Sequence, residues 1–196
     1  MDFYMFPEKE TSLLIDGPSG SLEAIATPAV ADLGKAAVVI CHPHPQMQGT
    51  MHNKVVSTLS KTCLTLGMPT VRFNYRGVQA SEGVYDEGVG EVADALAVLT
   101  WLKNCFPERA IWLAGFSFGG AIAYKAALQF SVEQLITVAP SVVHFELAKE
   151  SEPTCAWVVV QGEADEVIPP KAVYNWLNGL SRMPKLIKVP DSRWYG

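Results

Sequence analysis

Ala110-Ile111-Trp112-Leu113-Ala114-Gly115-Phe116-Ser117-Phe118-Gly119-Gly120 passes from a short apolar run directly into a G-x-S-x-G turn. An apolar run of this length reads as a strand covered on both faces. The residues after the glycines, 119–130, read as a helix. A sharp strand-to-helix turn lifts a serine hydroxyl clear of the sheet, and its strained backbone leaves no room for side chains at the flanking positions, hence glycine. The following helix aims its free N–H groups at whatever Ser117 attacks. The N–H of Phe118 is placed to receive a developing oxyanion. The plainer alternative is a glycine-rich turn holding an ordinary serine, and the strand–turn–helix setting favours the first reading.

Outward from this turn the pattern alternates. Residues 36–41 form a wholly apolar run, and 70–75, 135–139, 156–160 and 186–189 read as further strands. Helices are predicted over 52–66, 91–106 and 171–180. The first has Val55, Val56, Leu59, Cys63 and Leu66 on one face, with Gly67 as its C-terminal cap. The second places Val92, Leu96, Leu99, Leu102 and Phe106 on a stripe. Ahead of them, 11–15 and 21–27 flank a turn cluster at 16–20 and read as a hairpin. Alternation of this kind predicts one α/β domain over 1–196: a mostly parallel, doubly wound sheet with helices on both faces and an antiparallel N-terminal hairpin. Function in such sheets gathers outside the carboxyl ends of the strands.

Gln161-Gly162-Glu163-Ala164-Asp165 follows the strand at 156–160 and carries a carboxylate to the same edge as Ser117. The order serine then aspartate is that of the α/β-hydrolase triad, in which the acid orients and stabilises a histidine base. Asp165 is the candidate acid; Glu163 and Glu166 compete and are predicted to be solvated. Cys41-His42-Pro43-His44-Pro45 ends an early strand, where the loop of a hydrolase supplies a second oxyanion-hole N–H. Pro43 and Pro45 have no N–H, so the backbone of His44 is the donor to expect, with Gln46 behind it. His42 and His44, with Glu82, Asp86 and Glu91, also permit a metal reading. Two imidazoles without a convergent third ligand support it poorly, so no metal and no cofactor is predicted. The acids of that loop are expected to be solvated. The base is missing from its place: His42, His44, His52 and His144 all precede Asp165. His144, in the loop after the strand at 135–139, is the one candidate substitute.

The chain has 196 residues, 49% of them hydrophobic and 18% charged, which excludes a disordered chain and gives ample core. A net charge of −5 argues against a nucleic-acid binder, which needs surplus Lys and Arg. No apolar stretch approaches the ~20 residues needed to span a bilayer, and the first residues lack an export signal. Cys41, Cys63, Cys105 and Cys155 show no C-x-x-C pairing and read as isolated thiols of a reducing compartment, the cytoplasm.

In combination, Cys41–Pro45 with Thr50-Met51-His52-Asn53-Lys54-Val55-Val56, Arg72-Phe73-Asn74-Tyr75-Arg76-Gly77-Val78 with Ser81-Glu82-Gly83, the Ser117 turn, and Gln161–Val167 resemble the small bacterial α/β-hydrolases of the dienelactone-hydrolase-like group. The resemblance covers nearly the whole chain. It implies an α/β-hydrolase fold without a lid domain, a nucleophile at Ser117 and an acid at Asp165, and no particular substrate. The family tends to carry glycine near positions 48 and 79, where this chain has Gln48 and Gln79. It also continues past the last strand with a Ser-His-Phe-Phe-His-like segment bearing the base, then a closing helix. Here Ser192-Arg193-Trp194-Tyr195-Gly196 departs from that pattern, which reads as a truncated or diverged ending with the closing helix absent.

Two functional expectations follow. One is a serine hydrolase taking a small ester or related acyl compound. The other is a hydrolase fold impaired by its missing base, acting as a binding module or a shortened gene product. Without a closing helix, one face of 186–189 is expected to lie bare as an apolar patch through which copies of the chain would associate.

Overall fold

A computed structural model describes residues 5–143, 147, 151–192 and 194. β1 (Thr11–Gly17) and β2 (Gly20–Thr27) form the predicted antiparallel hairpin, paired from Thr11 opposite Ala26 to Gly17 opposite Gly20. There follow β3 (Ala36–Cys41), α1 (Lys54–Thr65), β4 (Thr70–Phe73), α2 (Val89–Cys105), β5 (Ala110–Phe116), α3 (Phe118–Ala127), β6 (Gln134–Val138), β7 (Ala156–Gly162), α4 (Pro170–Leu177) and β8 (Lys185–Val189). They build one eight-stranded sheet in the order β1-β2-β4-β3-β5-β6-β7-β8. β2 meets β4 antiparallel, and every pair from β4 to β8 is parallel. This is the α/β-hydrolase fold. Among the described residues no helix stands over the carboxyl edge as a lid, and none follows β8.

Local chemistry explains the elements. Every residue of β3 is buried, as its unbroken apolar run requires of a central parallel strand. α1 starts at Asn53, whose side chain accepts the Val55 N–H. It ends in a Schellman motif: Gly67 N–H donates to Leu64 O and Met68 N–H to Cys63 O, both at 3.0 Å, with Gly67 at φ 76°. The predicted apolar face of α1 is narrower than its sequence suggests, because Leu66 is the C-cap residue and points outward, 56% exposed. α3 is buried almost all round, so its apolar residues show no single stripe. It stops at Ala127 rather than running to 130, since the Gln129 and Phe130 N–H groups both turn back to Ala126 O.

α2 begins two residues before the predicted start. The side chain of Glu91 reaches back to accept the N–H groups of Gly88 (2.7 Å) and Asp86 (2.9 Å). Glu91 is fully buried, which corrects the expectation that the acids of this loop are solvated. Two orphan donors at a positive helix end are worth more to a carboxylate than water is. Glu82 also works structurally, accepting the Ser21 N–H at 2.6 Å.

The bare strand expected at the far edge is only partly so. Leu186 packs against the core, while Ile187, on the opposite face, is 40% exposed. No helix among the described residues is long and apolar enough to cross a membrane.

Candidate active site

β5 carries the chain to the carboxyl edge and stops at Phe116. Ser117 then adopts φ 55° and ψ −116° as the N-cap of α3, a conformation that costs a side-chain-bearing residue energy and must be held in place by its surroundings. Four backbone bonds hold it: its N–H donates to Val138 O at 2.9 Å, and its carbonyl accepts from Gly120, Ala121 and Ser141 N–H at 3.0–3.2 Å. The flanking glycines are sterically required. A Cβ on Gly115 would collide with the Gly119 carbonyl, and one on Gly119 with the carbonyls of Cys41 and His42. Ser117 and Phe118 floor a cavity of about 240 Å³. Pro43, His44, Met47 and Gln48 form one wall, and Val167 and Ile168 another. None of the described lining residues carries a full charge apart from the titratable His44.

The loop after β3 is built from its two histidines in different ways. His42 is fully buried; Nδ1 lies 2.6 Å from Pro43 O and Nε2 accepts the Tyr75 N–H at 3.2 Å. With both nitrogens used, the ring is a neutral cross-brace, and burial pushes its pKa from 6.5 down to about 3. His44 caps the short turn Pro45–Met47: Nδ1 accepts the Gln46 N–H at 3.2 Å and its carbonyl accepts from Met47 and Gly49. Its ring lies 4.9 Å from that of Phe118, so the two residues expected to supply oxyanion donors are neighbours. Burial also pushes the Cys41 thiol up to about 12, which removes it as a nucleophile. Among the described residues no three His, Cys, Asp or Glu side chains gather as a metal site.

Asp165 follows β7 at the same edge and is buried. Oδ1 accepts the Val167 and Ile168 N–H groups, both at 2.9 Å, which fixes the carboxylate as an acceptor. Oδ2 is buried and has no hydrogen-bond partner among the described residues. Gln161 braces this loop from below, its Nε2 donating to Gly162 O and Ile168 O at 3.2 Å. Glu163 and Glu166 are exposed, as expected of the competitors. His52 is exposed at the start of α1, and His144 lies outside the described residues.

Two contributors escaped the sequence reading. Ser141 lines the cavity and holds the Ser117 carbonyl; a lone serine in a loop gives no signal. Asn74, fully buried at the end of β4, donates to Glu23 and Gln79 (2.8 Å each) and accepts the Met51 N–H at 2.8 Å. It thereby ties the loop after β3 to the hairpin. Its sequence signal was an amide directly after an apolar strand.

A lidless α/β-hydrolase frame with a serine at its strand-to-helix turn is therefore the class defined by the geometry. The chain belongs to the X-Pro dipeptidyl-peptidase (S15) family, whose pattern matches residues 24–152. It is similar in sequence to an uncharacterised protein of Rickettsia prowazekii, 32% identical over 90% of this chain and 76% of that one. In structure it is similar to an α/β serine hydrolase without lid from Xanthomonas campestris, with a TM-score of 0.92 and 37% identity over 97% of this chain and 88% of the other. An α/β serine hydrolase homologue from Coxiella burnetii also has a TM-score of 0.92, with 42% identity over 97% and 91% of the two chains.

Proposed function

We propose that the chain is a serine hydrolase of the dienelactone-hydrolase-like kind, acting on a small, uncharged ester or related acyl compound. Ser117 is the nucleophile, Asp165 orients and stabilises the base, and the N–H groups of Phe118 and His44 receive the oxyanion. One observation carries this reading. A serine strained into the turn between β5 and α3 opens on a cavity lined by Val167 and Ile168, whose N–H groups bind an acid with its second oxygen buried and unpartnered among the described residues. A buried carboxylate oxygen without a donor is costly, and an imidazole N–H is what would satisfy it in a triad. The lining favours a neutral acyl group over a peptide with a free ammonium, which would need a carboxylate close by.

The same oxygen supports a second reading: an impaired hydrolase fold that binds without turnover. No imidazole of a described residue is bonded to Asp165 Oδ2, and loss of a triad base costs about a million-fold in kcat in a well-studied case. His144 is the substitute base in the first reading. Hydrolysis of p-nitrophenyl acetate by the wild type and by Ser117→Ala separates the two. A large Ser117-dependent rate supports the hydrolase and excludes the binding module; equal rates do the reverse. Loss of that rate in His144→Ala assigns the base, and an unchanged rate removes His144 from the mechanism.

A further inference from the structure

Tyr85 stands on the loop between β4 and α2, and nothing in the triad chemistry calls on it. Its hydroxyl lies 3.3 Å from His44 Nε2. Its ring centroid is 5.3 Å from that of His44 and 6.3 Å from that of Phe118. The same side chain thus touches both residues whose backbone N–H groups are assigned to the oxyanion. Because His44 Nδ1 accepts the Gln46 N–H, the ring proton belongs on Nε2, which donates to the Tyr85 oxygen. Burial first, and the Glu91 and Glu87 carboxylates after it, push the Tyr85 hydroxyl upward, so it stays neutral as an acceptor.

Tyr85 is itself held firmly. Glu91 binds the N–H groups of Asp86 and Gly88, the Val89 N–H returns to Asp86 O at 2.9 Å, and Arg76 lies 3.8 Å from the Asp86 carboxylate. The residue following Tyr85 is therefore fixed to the first turn of α2, and α2 is fixed to the start of the same loop through Arg76 and Asp94.

We infer that Tyr85 is a positioning residue: its hydroxyl fixes the His44 ring, and through the cap on Gln46 sets the direction of the His44 backbone N–H against that of Phe118. The inference rests on the hydrolase reading above for its catalytic consequence, but not for the contact itself. Donor geometry counts most where charge develops, so loss of the hydroxyl acts on the transition state more than on substrate binding.

The test is Tyr85→Phe, which keeps the ring, beside Tyr174→Phe, which deletes a buried hydroxyl on α4 that does not line the cavity. For Tyr85→Phe, Ser117-dependent kcat falls roughly tenfold while KM stays within roughly twofold, with the melting temperature unchanged. Long-range 1H–15N spectra show the His44 Nε2 signal displaced and amide exchange at Gln46 accelerated. Tyr174→Phe moves none of these. An unshifted His44 signal overturns the inference whatever the activity, and an unchanged kcat in an active enzyme overturns its catalytic part. Absence of Ser117-dependent turnover in the wild type refutes the hydrolase reading instead, and the His44 spectra still decide the contact.

Discussion

Asp94 holds Arg76 through its side chain and its backbone at once. Arg76 Nη2 donates to Oδ1 at 2.7 Å, Nε to Oδ2 at 3.0 Å, and the Arg76 N–H to Oδ2 at 3.0 Å. Asp94 is fully buried, and the Arg76 guanidinium lies so close over Gly90 that a Cβ there would collide with it. This pair fastens the loop after β4 to α2, and that loop carries Tyr85 to the site. Removing one partner of a buried pair leaves an uncompensated charge, so Asp94→Ala costs about 3–5 kcal/mol. Urea denaturation checks this, and Gly90→Ala loses stability for the complementary reason.

Gly119 joins the nucleophile turn to the end of β3. The carbonyls of Cys41 and His42 occupy the space a side chain would need, and backbone atoms cannot swing away. Gly119→Ala therefore destabilises by about 1–3 kcal/mol and lowers the reactivity of Ser117 even where the variant remains folded. Thermal melting and the p-nitrophenyl acetate rate measure the two effects separately.

Gln48 and Gln79 both stand in the left-handed region that favours glycine, at φ 60° and φ 49°. The two differ in what the glutamine does. Gln79 Oε1 accepts from Asn74 at 2.8 Å, while Gln48 lines the cavity. A left-handed residue costs about 1 kcal/mol more than glycine, close to the entropy glycine loses on folding. Gln48→Gly is therefore expected to keep its stability within about 1 kcal/mol and to change KM more than kcat. Steady-state kinetics with acetyl and butyryl esters test this.

His42 sets an acid limit on stability. Its folded pKa of about 3 lies below the ordinary 6.5, so between these values the unfolded chain binds the extra proton. Stability from this group is complete above pH 6.5 and falls as pH drops towards 3, by up to ~1.4 kcal/mol per pH unit. Denaturant midpoints of the wild type fall more steeply over that window than those of His42→Gln.

The turn at Ser117, a carboxylate placed just after β7 at Asp165, and the strand-by-strand alternation were legible in sequence because each depends on short-range residue type. Glycine at 115 and 119 is demanded by local sterics, and β3 by its unbroken apolar run. The burial of Asp94 was not legible, since a carboxylate on a helix reads as solvated until its partner, here Arg76, is brought to it from elsewhere in the chain. Asp94 did leave a trace: it sits among Val92, Ala95 and Val98 on the buried face, where an acid demands a cation. Sequence likewise overstated the bare edge at β8, because Leu186 finds the core through packing that no local pattern announces.

Covalent labelling with a fluorophosphonate, read by intact mass and peptide mapping, tests most directly whether Ser117 is a reactive hydroxyl. One adduct per chain is expected, located on Ser117, lost in Ser117→Ala and strongly slowed in Asp165→Asn. No adduct, or an adduct that persists in Ser117→Ala, would contradict it.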